Sequence, residues 1–197
     1  MKRSRKQPRP LLKRIGIIAE DKSDVEVIDL LIKKIAKSPY HVSFFAAGGC
    51  GKIISKARAW AQNLRDQGCK YLLLVHDLDR AQITQLRTSL LNALGQSPIS
   101  PHLVVIPVRE IEAWLLADHE AIKKAMKLTG PVNKIANPEA LQNPKEHLAR
   151  LVYIRSDHKK RYINSIHNAQ IAAACTATKL NRCSSYVPFH LFIQQNI

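Results

Sequence analysis

Acidic residues are scarce in this sequence. Fifteen Asp and Glu stand against 31 Lys and Arg in 197 residues, a formal charge of +16. Seven basic residues and no acidic ones fall in the first fourteen positions, MKRSRKQPRPLLKR, and the remainder still carries 24 basic against 15 acidic, a surplus of 9. An excess spread in that way is not a tail alone. It favours a polyanionic partner, and nucleic acid is the commonest one; a ribosome-like or solubility-driven surplus is the duller reading. Cysteine is almost missing. Cys50, Cys69, Cys175 and Cys183 form no CxxC pair, and the eight histidines add no His/Cys cluster at zinc spacing. Free thiols in a cytoplasmic setting fit best. No apolar run reaches the roughly 18 to 20 residues needed to span a bilayer, so no membrane partner is expected. The basic N-terminus is interrupted by proline and followed by no apolar core, unlike a secretion signal. A phosphate-binding GxxxxGK[ST] loop is also missing: GGCGKI has the glycines and Lys52, but Ile53 stands where Ser or Thr would. No local motif suggests a Ser/His/Asp or Cys/His arrangement.

Hydrophobic residues make up 46% of the chain, enough for one core or a core with a small appendage. Apolar runs with strand character occur at RIGIIA (14–19), YHVSFFAA (40–47), KYLLLVHDLD (70–79) and HLVVIPV (102–108). Between them the period turns helical. In SDVEVIDLLIKKIAKS, Ile28, Leu31, Ile32 and Ile35 share a face, and Ser23 with Glu26 has capping-box spacing. The next two helices run through IISKARAWAQNLRDQG and RAQITQLRTSLLNALG, each closed by glycine, and a fourth through 109–128, REIEAWLLADHEAIKKAMKL. The tryptophans, Trp60 and Trp114, sit at helical core spacing. Strands alternating with amphipathic helices imply an α/β fold with a mainly parallel four-stranded sheet covered on both faces. From Thr129 the chain turns rich in Pro and Asn and then helical. The expected organisation is a basic disordered arm over 1–13, an α/β domain over 14–128 and a helical C-terminal extension over 129–197.

Few as they are, the acids are not scattered. Glu20 ends the first strand, with Asp21 and Asp24 just beyond; Asp77 and Asp79 end the third; Glu110 and Glu112 follow the fourth. In an open parallel sheet ligands bind at the carboxyl ends of the strands. Carboxylates gathered there repel one another, and a hard divalent cation such as Mg²⁺ relieves that repulsion. Each acid also has a plainer use. Asp-x-Asp can be a turn or a helix cap, and Asp24 and Glu110 can be first-turn acids favoured by the helix dipole. His76 beside Asp77 could assist catalysis, but a lone histidine at a strand end reads more readily as structural or incidental.

A strand-terminal Glu in IIAEDKSD, followed two strands later by Asp-x-Asp in LLLVHDLD, resembles the Toprim domain. VREIEAWLLAD is similar to the Glu-Ala-Trp-Leu-Leu-Ala-Asp signature of small bacterial Toprim-like proteins related to OLD-family and RloB-type defence nucleases. NPKEHLARL and RCSSYVPFHLFI resemble that family's C-terminal pieces, so the likeness covers roughly residues 14 to 195. It implies a Toprim-like Rossmannoid fold and Mg²⁺ or Mn²⁺ as cofactor. Glu20 would be the general acid/base, and Asp77, Asp79, Glu112 and Asp24 the metal ligands; Glu110 has no counterpart. It also implies a possible ATPase partner of OLD or ABC type. The basic arm departs from the family's pattern.

The function expected from all this is a metal-dependent nuclease acting on DNA or RNA, in antiphage defence. Lys2, Arg3, Arg5, Lys6, Lys159, Lys160, Arg161 and Arg182 would bind the nucleic-acid backbone without reading sequence. The alternative is a catalytically silent Toprim-like subunit that binds nucleic acid. A phosphohydrolase or nucleotidyltransferase is a third class, in which the haloacid-dehalogenase type is disfavoured by the position of Asp-x-Asp and by Ala81.

Overall fold

The computed structural model describes residues 12–48 and 50–197. The expected phosphate contacts Lys2, Arg3, Arg5 and Lys6 lie outside the described residues. Four strands, β1 (Lys13–Ala19), β2 (Tyr40–Ala46), β3 (Tyr71–Val75) and β4 (His102–Val105), form one sheet in the order β2-β1-β3-β4, with every pair parallel. The boundary expected after residue 13 falls inside β1. Lys13 pairs with Tyr40, and its ammonium donates to the carbonyls of Asn196 and Ile197 at the far end of the chain.

The central strands are apolar on both faces because both faces are covered. Ile15, Ile17, Ala19, Leu73, Val75 and Val105 look into one core with helix α1 (Lys22–Ile35). Ile18, Leu72, Leu74 and Val104 look into a second with α2 (Cys50–Asp66) and α3 (Ile83–Leu94). Gly16 belongs to the second face: a Cβ there would lie 2.9 Å from Leu64 Cδ1 and 3.2 Å from Leu64 Cβ, so its lack of a side chain lets α2 lie close on the sheet. The chain leaves β1 by α1 on one face and returns from β2 to β3 by α2 on the other. The gap between the ends of β1 and β3 is therefore the topological switch point.

The remaining helices are α4 (Glu112–Leu116), α5 (His119–Ala125), α6 (Pro144–Arg155), α7 (Asn164–Ala174), α8 (Ala177–Leu180) and α9 (Tyr186–Asn196), with a 3₁₀ turn at Pro138–Ala140. The segment after Thr129 is helical, and it is continuous with the first core: Leu148, Val152, Ile171, Phe189 and Ile193 are buried in the same cluster as β1, α1 and Trp114. The single helix expected over 109–128 is two. Asp118 ends the first and N-caps the second, accepting from the Ala121 amide, while it also accepts from the Thr176 amide and Lys179. Among the described residues no helix is long and apolar enough to cross a membrane.

Candidate functional site

The carboxyl ends of β1, β3 and β4 bring the acids together. Glu20 follows β1 directly, and His76 follows β3. In the register Ile18 faces Leu74, so two residues further on Glu20 lies beside His76. The imidazole Nδ1 stands 2.8 Å from Glu20 Oε1 and 2.7 Å from the Asp77 carbonyl. One N–H cannot point at both. The directed hydrogen bond goes to the carbonyl, and Glu20 Oε1, buried, has none among the described residues and keeps an ionic contact. His76 is buried. Burial opposes its charge, but the Glu20 carboxylate, the Asp77 carbonyl and Asp79 outweigh that and raise its pKa.

Asp21 and Asp24 begin α1. Asp21 is extended and N-caps the helix, taking the amides of Ser23 and Asp24, while Asp24 Oδ2 accepts the Asp21 amide. The capping box is thus Asp21–Asp24 and not Ser23–Glu26, because Asp21 has the extended backbone the cap requires; Glu26 pairs instead with Lys22 at 3.7 Å. Asp24 has a second character. Burial pushes its carboxyl from 3.8 up to about 7, helped by the charges of Asp21, Glu112 and Glu20. Asp77 is raised well above the usual carboxylate range, first by burial and then by Asp24, Glu112, Glu20 and Asp79. Asp79 is exposed and also raised, by burial of its carboxyl and by Glu20, against His76 and Lys145. Their charges act on one another, so Glu20, Asp24, Asp77, Asp79 and Glu112 form one repelling group.

The backbone around them is constrained. Leu78 donates to the Pro107 carbonyl and Asp79 to the Arg109 carbonyl, while the Arg109 guanidinium returns to the Asp79 carbonyl at 2.9 Å. Asp79 and Arg109 both have positive φ, 48° and 67°. Side chains with a Cβ rarely adopt that region, and such strain clusters at functional sites.

Glu112 is 3% exposed and held by residues fifty and more positions away. The Tyr162 hydroxyl and the Asn168 amide nitrogen both donate to its Oε1, at 3.1 and 3.0 Å, and Tyr162 also contacts the Asn168 carbonyl oxygen. Burial and the Glu112 charge push the Tyr162 phenol pKa upward. The C-terminal helical segment therefore supplies side chains to the acidic edge. Nothing local in the sequence marks Tyr162 or Asn168, and His76 carried only the signal of its strand-end position.

Other acids have structural duties. Glu110 accepts the Lys145 amide at the start of α6, a cap reaching 35 residues along the chain. Asp118 is pulled below its usual pKa: burial raises it, but the amides of Thr176 and Ala121 and the Lys179 ammonium outweigh burial. The EAWLLAD segment thus divides by role. Its Glu joins the acidic group, its Asp caps a helix, and Trp114 and the leucines between them are fully buried.

Two of the expected phosphate contacts need correction. The Arg182 guanidinium donates to the carbonyls of Ala117, Ile135 and Ala136, and the Lys160 ammonium to those of Met126 and Lys127. Both cations tie loops to helix ends. Lys159 and Arg161 are exposed.

Among the described residues no group of three or more His, Cys, Asp and Glu is arranged to hold a metal ion. No curated protein and no solved structure matched the chain. A family profile did match, over residues 19–193, a span that takes in every acid of the cluster: the chain belongs to the family described as domain of unknown function DUF4276.

Proposed function

We propose that the protein is a divalent-cation-dependent nuclease that hydrolyses phosphodiesters in DNA or RNA. One observation carries the reading: in a chain of charge +16, five of its 15 acids gather at the switch point of a parallel sheet, where they repel one another. The donors there are carboxylate oxygens, which suit Mg²⁺ or Mn²⁺. Mg²⁺ keeps several waters and takes one or two carboxylates together with substrate phosphate. Asp77, Asp79, Glu112 and Asp24 would hold the cation. Bound there, it would stabilise charge on the phosphate and lower the pKa of a water. Glu20 would accept that water's proton, and His76 keeps the carboxylate in place. The resemblance to Toprim defence nucleases supports the same chemistry and adds an ATPase partner of OLD or ABC type to the proposal.

The lack of a ready three-donor group favours a second reading, a silent subunit that binds nucleic acid. Incubating the protein with plasmid, single-stranded DNA and total RNA, with and without Mg²⁺ or Mn²⁺, separates the two. Cation-dependent cutting that disappears in Asp77→Asn supports the nuclease. Binding without cutting, in wild type and variant alike, supports the silent subunit.

A further inference from the structure

A second candidate region lies along α6. A cavity of about 350 Å³ opens between α6 and the loop before the 3₁₀ turn. His147, Arg150, Leu151 and Ile154 line it from one stripe of α6, spaced i, i+3, i+4 and i+7, beside the buried row of Leu148 and Val152. Lys134 and Ile135 line it from the loop, and Arg155 closes one end. No acid lines it. Among the described residues no salt bridge or side-chain hydrogen bond engages Lys134, Arg150 or Arg155. The loop wall is pre-formed, since Arg182 holds the carbonyls of Ile135 and Ala136. On the far side the Gly130 amide donates to the Arg155 carbonyl at 3.3 Å. Ile154 is 43% exposed although it is apolar, so part of this wall faces solvent.

Unengaged cations next to an apolar wall suit a ligand with an anionic and a flat apolar end. The volume is at the low end of small-molecule sites, about the size of a single nucleotide. We propose that this pocket binds one nucleotide unit, with its phosphate on Arg150, Lys134 and Arg155 and its base against Leu151, Ile154 and Ile135. The unit can be a free mononucleotide or one residue of a strand. Guanidinium–phosphate pairing gives the affinity and the isoleucines the preference for a nucleotide over a bare anion. The assignment stands whether or not the acidic edge cuts.

The test uses the full chain, a fluorescent mononucleotide and a fluorescent single-stranded 12-mer, read by anisotropy. Arg150→Glu is expected to weaken binding at least about tenfold, the loss of a charge-assisted pair. Lys56→Glu, which makes the same charge change on exposed α2, should weaken it far less. Ile154→Ser should weaken the nucleotide several-fold while leaving competition by inorganic phosphate unchanged. All of these are read in EDTA, where cation-dependent cutting cannot run, and adding Mg²⁺ to the mononucleotide assay should leave the ranking of the variants as it is, so failure here and failure of the nuclease reading are distinguishable. Binding of the mononucleotide identifies a free ligand, binding of the 12-mer alone a strand residue, and either supports the pocket. Equal losses in Arg150→Glu and Lys56→Glu, no effect of Ile154→Ser, or equal competition by polyglutamate would overturn it.

Discussion

Asp24→Asn removes the cost of a charge at the acidic edge, set first by burial and then by repulsion from Asp21, Glu112 and Glu20, while keeping the rest of what Asp24 does. The amide keeps the shape and an oxygen for the Asp21 N–H, so the capping box can survive. It removes the charge. In the folded chain that carboxyl is raised from 3.8 to about 7. A shift of a little over three units, at 1.36 kcal/mol each, corresponds to about 4 kcal/mol. Asp24 is part-exposed, so water screens a share of this. The substitution also gives up about 0.3 to 1 kcal/mol of charge–dipole attraction at the helix start. The expected net gain at pH 8 is about 2 kcal/mol, or roughly 4 to 8 °C in Tm for a chain of this size. The sign depends on pH. Between about pH 4 and pH 7 the folded state keeps a proton that the unfolded chain has released, so wild-type stability falls as pH rises through that window. At pH 5, a little over one unit above the unfolded value, only about a third of that penalty has developed, and the variant should gain correspondingly less than at pH 8. Thermal unfolding of both proteins in EDTA at pH 5 and pH 8 reads the difference. If Asp24→Asn lowers Tm equally at both pH values, the cap matters and the repulsion does not, and the physical case for a cation site loses its main support.

Two further substitutions test the frame that holds the site. Gly16→Ala should destabilise by about 1 to 3 kcal/mol in urea unfolding, because its Cβ would meet Leu64 at 2.9 and 3.2 Å and α2 would have to move off the sheet; a neutral result would mean that the contact is not tight. Ser185→Ala removes the acceptor of the buried Trp114 indole N–H at 2.8 Å and of the Val108 amide at 3.2 Å. At about 1 to 3 kcal/mol for each stranded donor, a loss of at least about 2 kcal/mol is expected, and one below about 0.5 would show that water replaces the serine.

The strands were legible because they are short apolar runs between helical patterns, and the acidic edge was legible because strand-end acids fall on one side of any parallel sheet. What could not be read depends on contacts between distant residues. Glu112 is oriented by Tyr162 and Asn168, 50 and 56 residues on. The break at Asp118 needs Thr176 and Lys179, about sixty residues away. Arg182 and Lys160 looked like surface cations because a sequence does not show which carbonyls lie near a guanidinium or an ammonium. Asp21 displaced Ser23 as the cap because the extended backbone a cap requires falls two residues earlier than the Ser23–Glu26 spacing implies. The contact between His76 and Glu20 is hidden in the sequence for a similar reason: the two residues follow strands that are neighbours in space only.

These long-range ties explain how a group of repelling carboxylates stays assembled. Three acids of the cluster have a restraint on the carboxylate, for Glu20 and Glu112 from distant parts of the chain and for Asp24 from its own helix start. Glu20 has His76, Asp24 the Asp21 amide, and Glu112 the pair from the C-terminal helices. Asp79 has none on its carboxylate; its backbone is held in a left-handed conformation by Arg109, itself left-handed. Left to itself, such a group would lower its energy by moving apart. Holding such a group together costs stability, which the packing around it has to offset. The C-terminal helices cannot then be a dispensable appendage. More than a third of the first core is theirs, and the side chains that fix Glu112 come from them, so a truncation at residue 129 would remove Tyr162 and Asn168 and open the core around Trp114 together. The EAWLLAD segment is where the two requirements meet: its buried Trp and leucines bind the helical half to the sheet, and that same packing sets the Glu at the acidic edge.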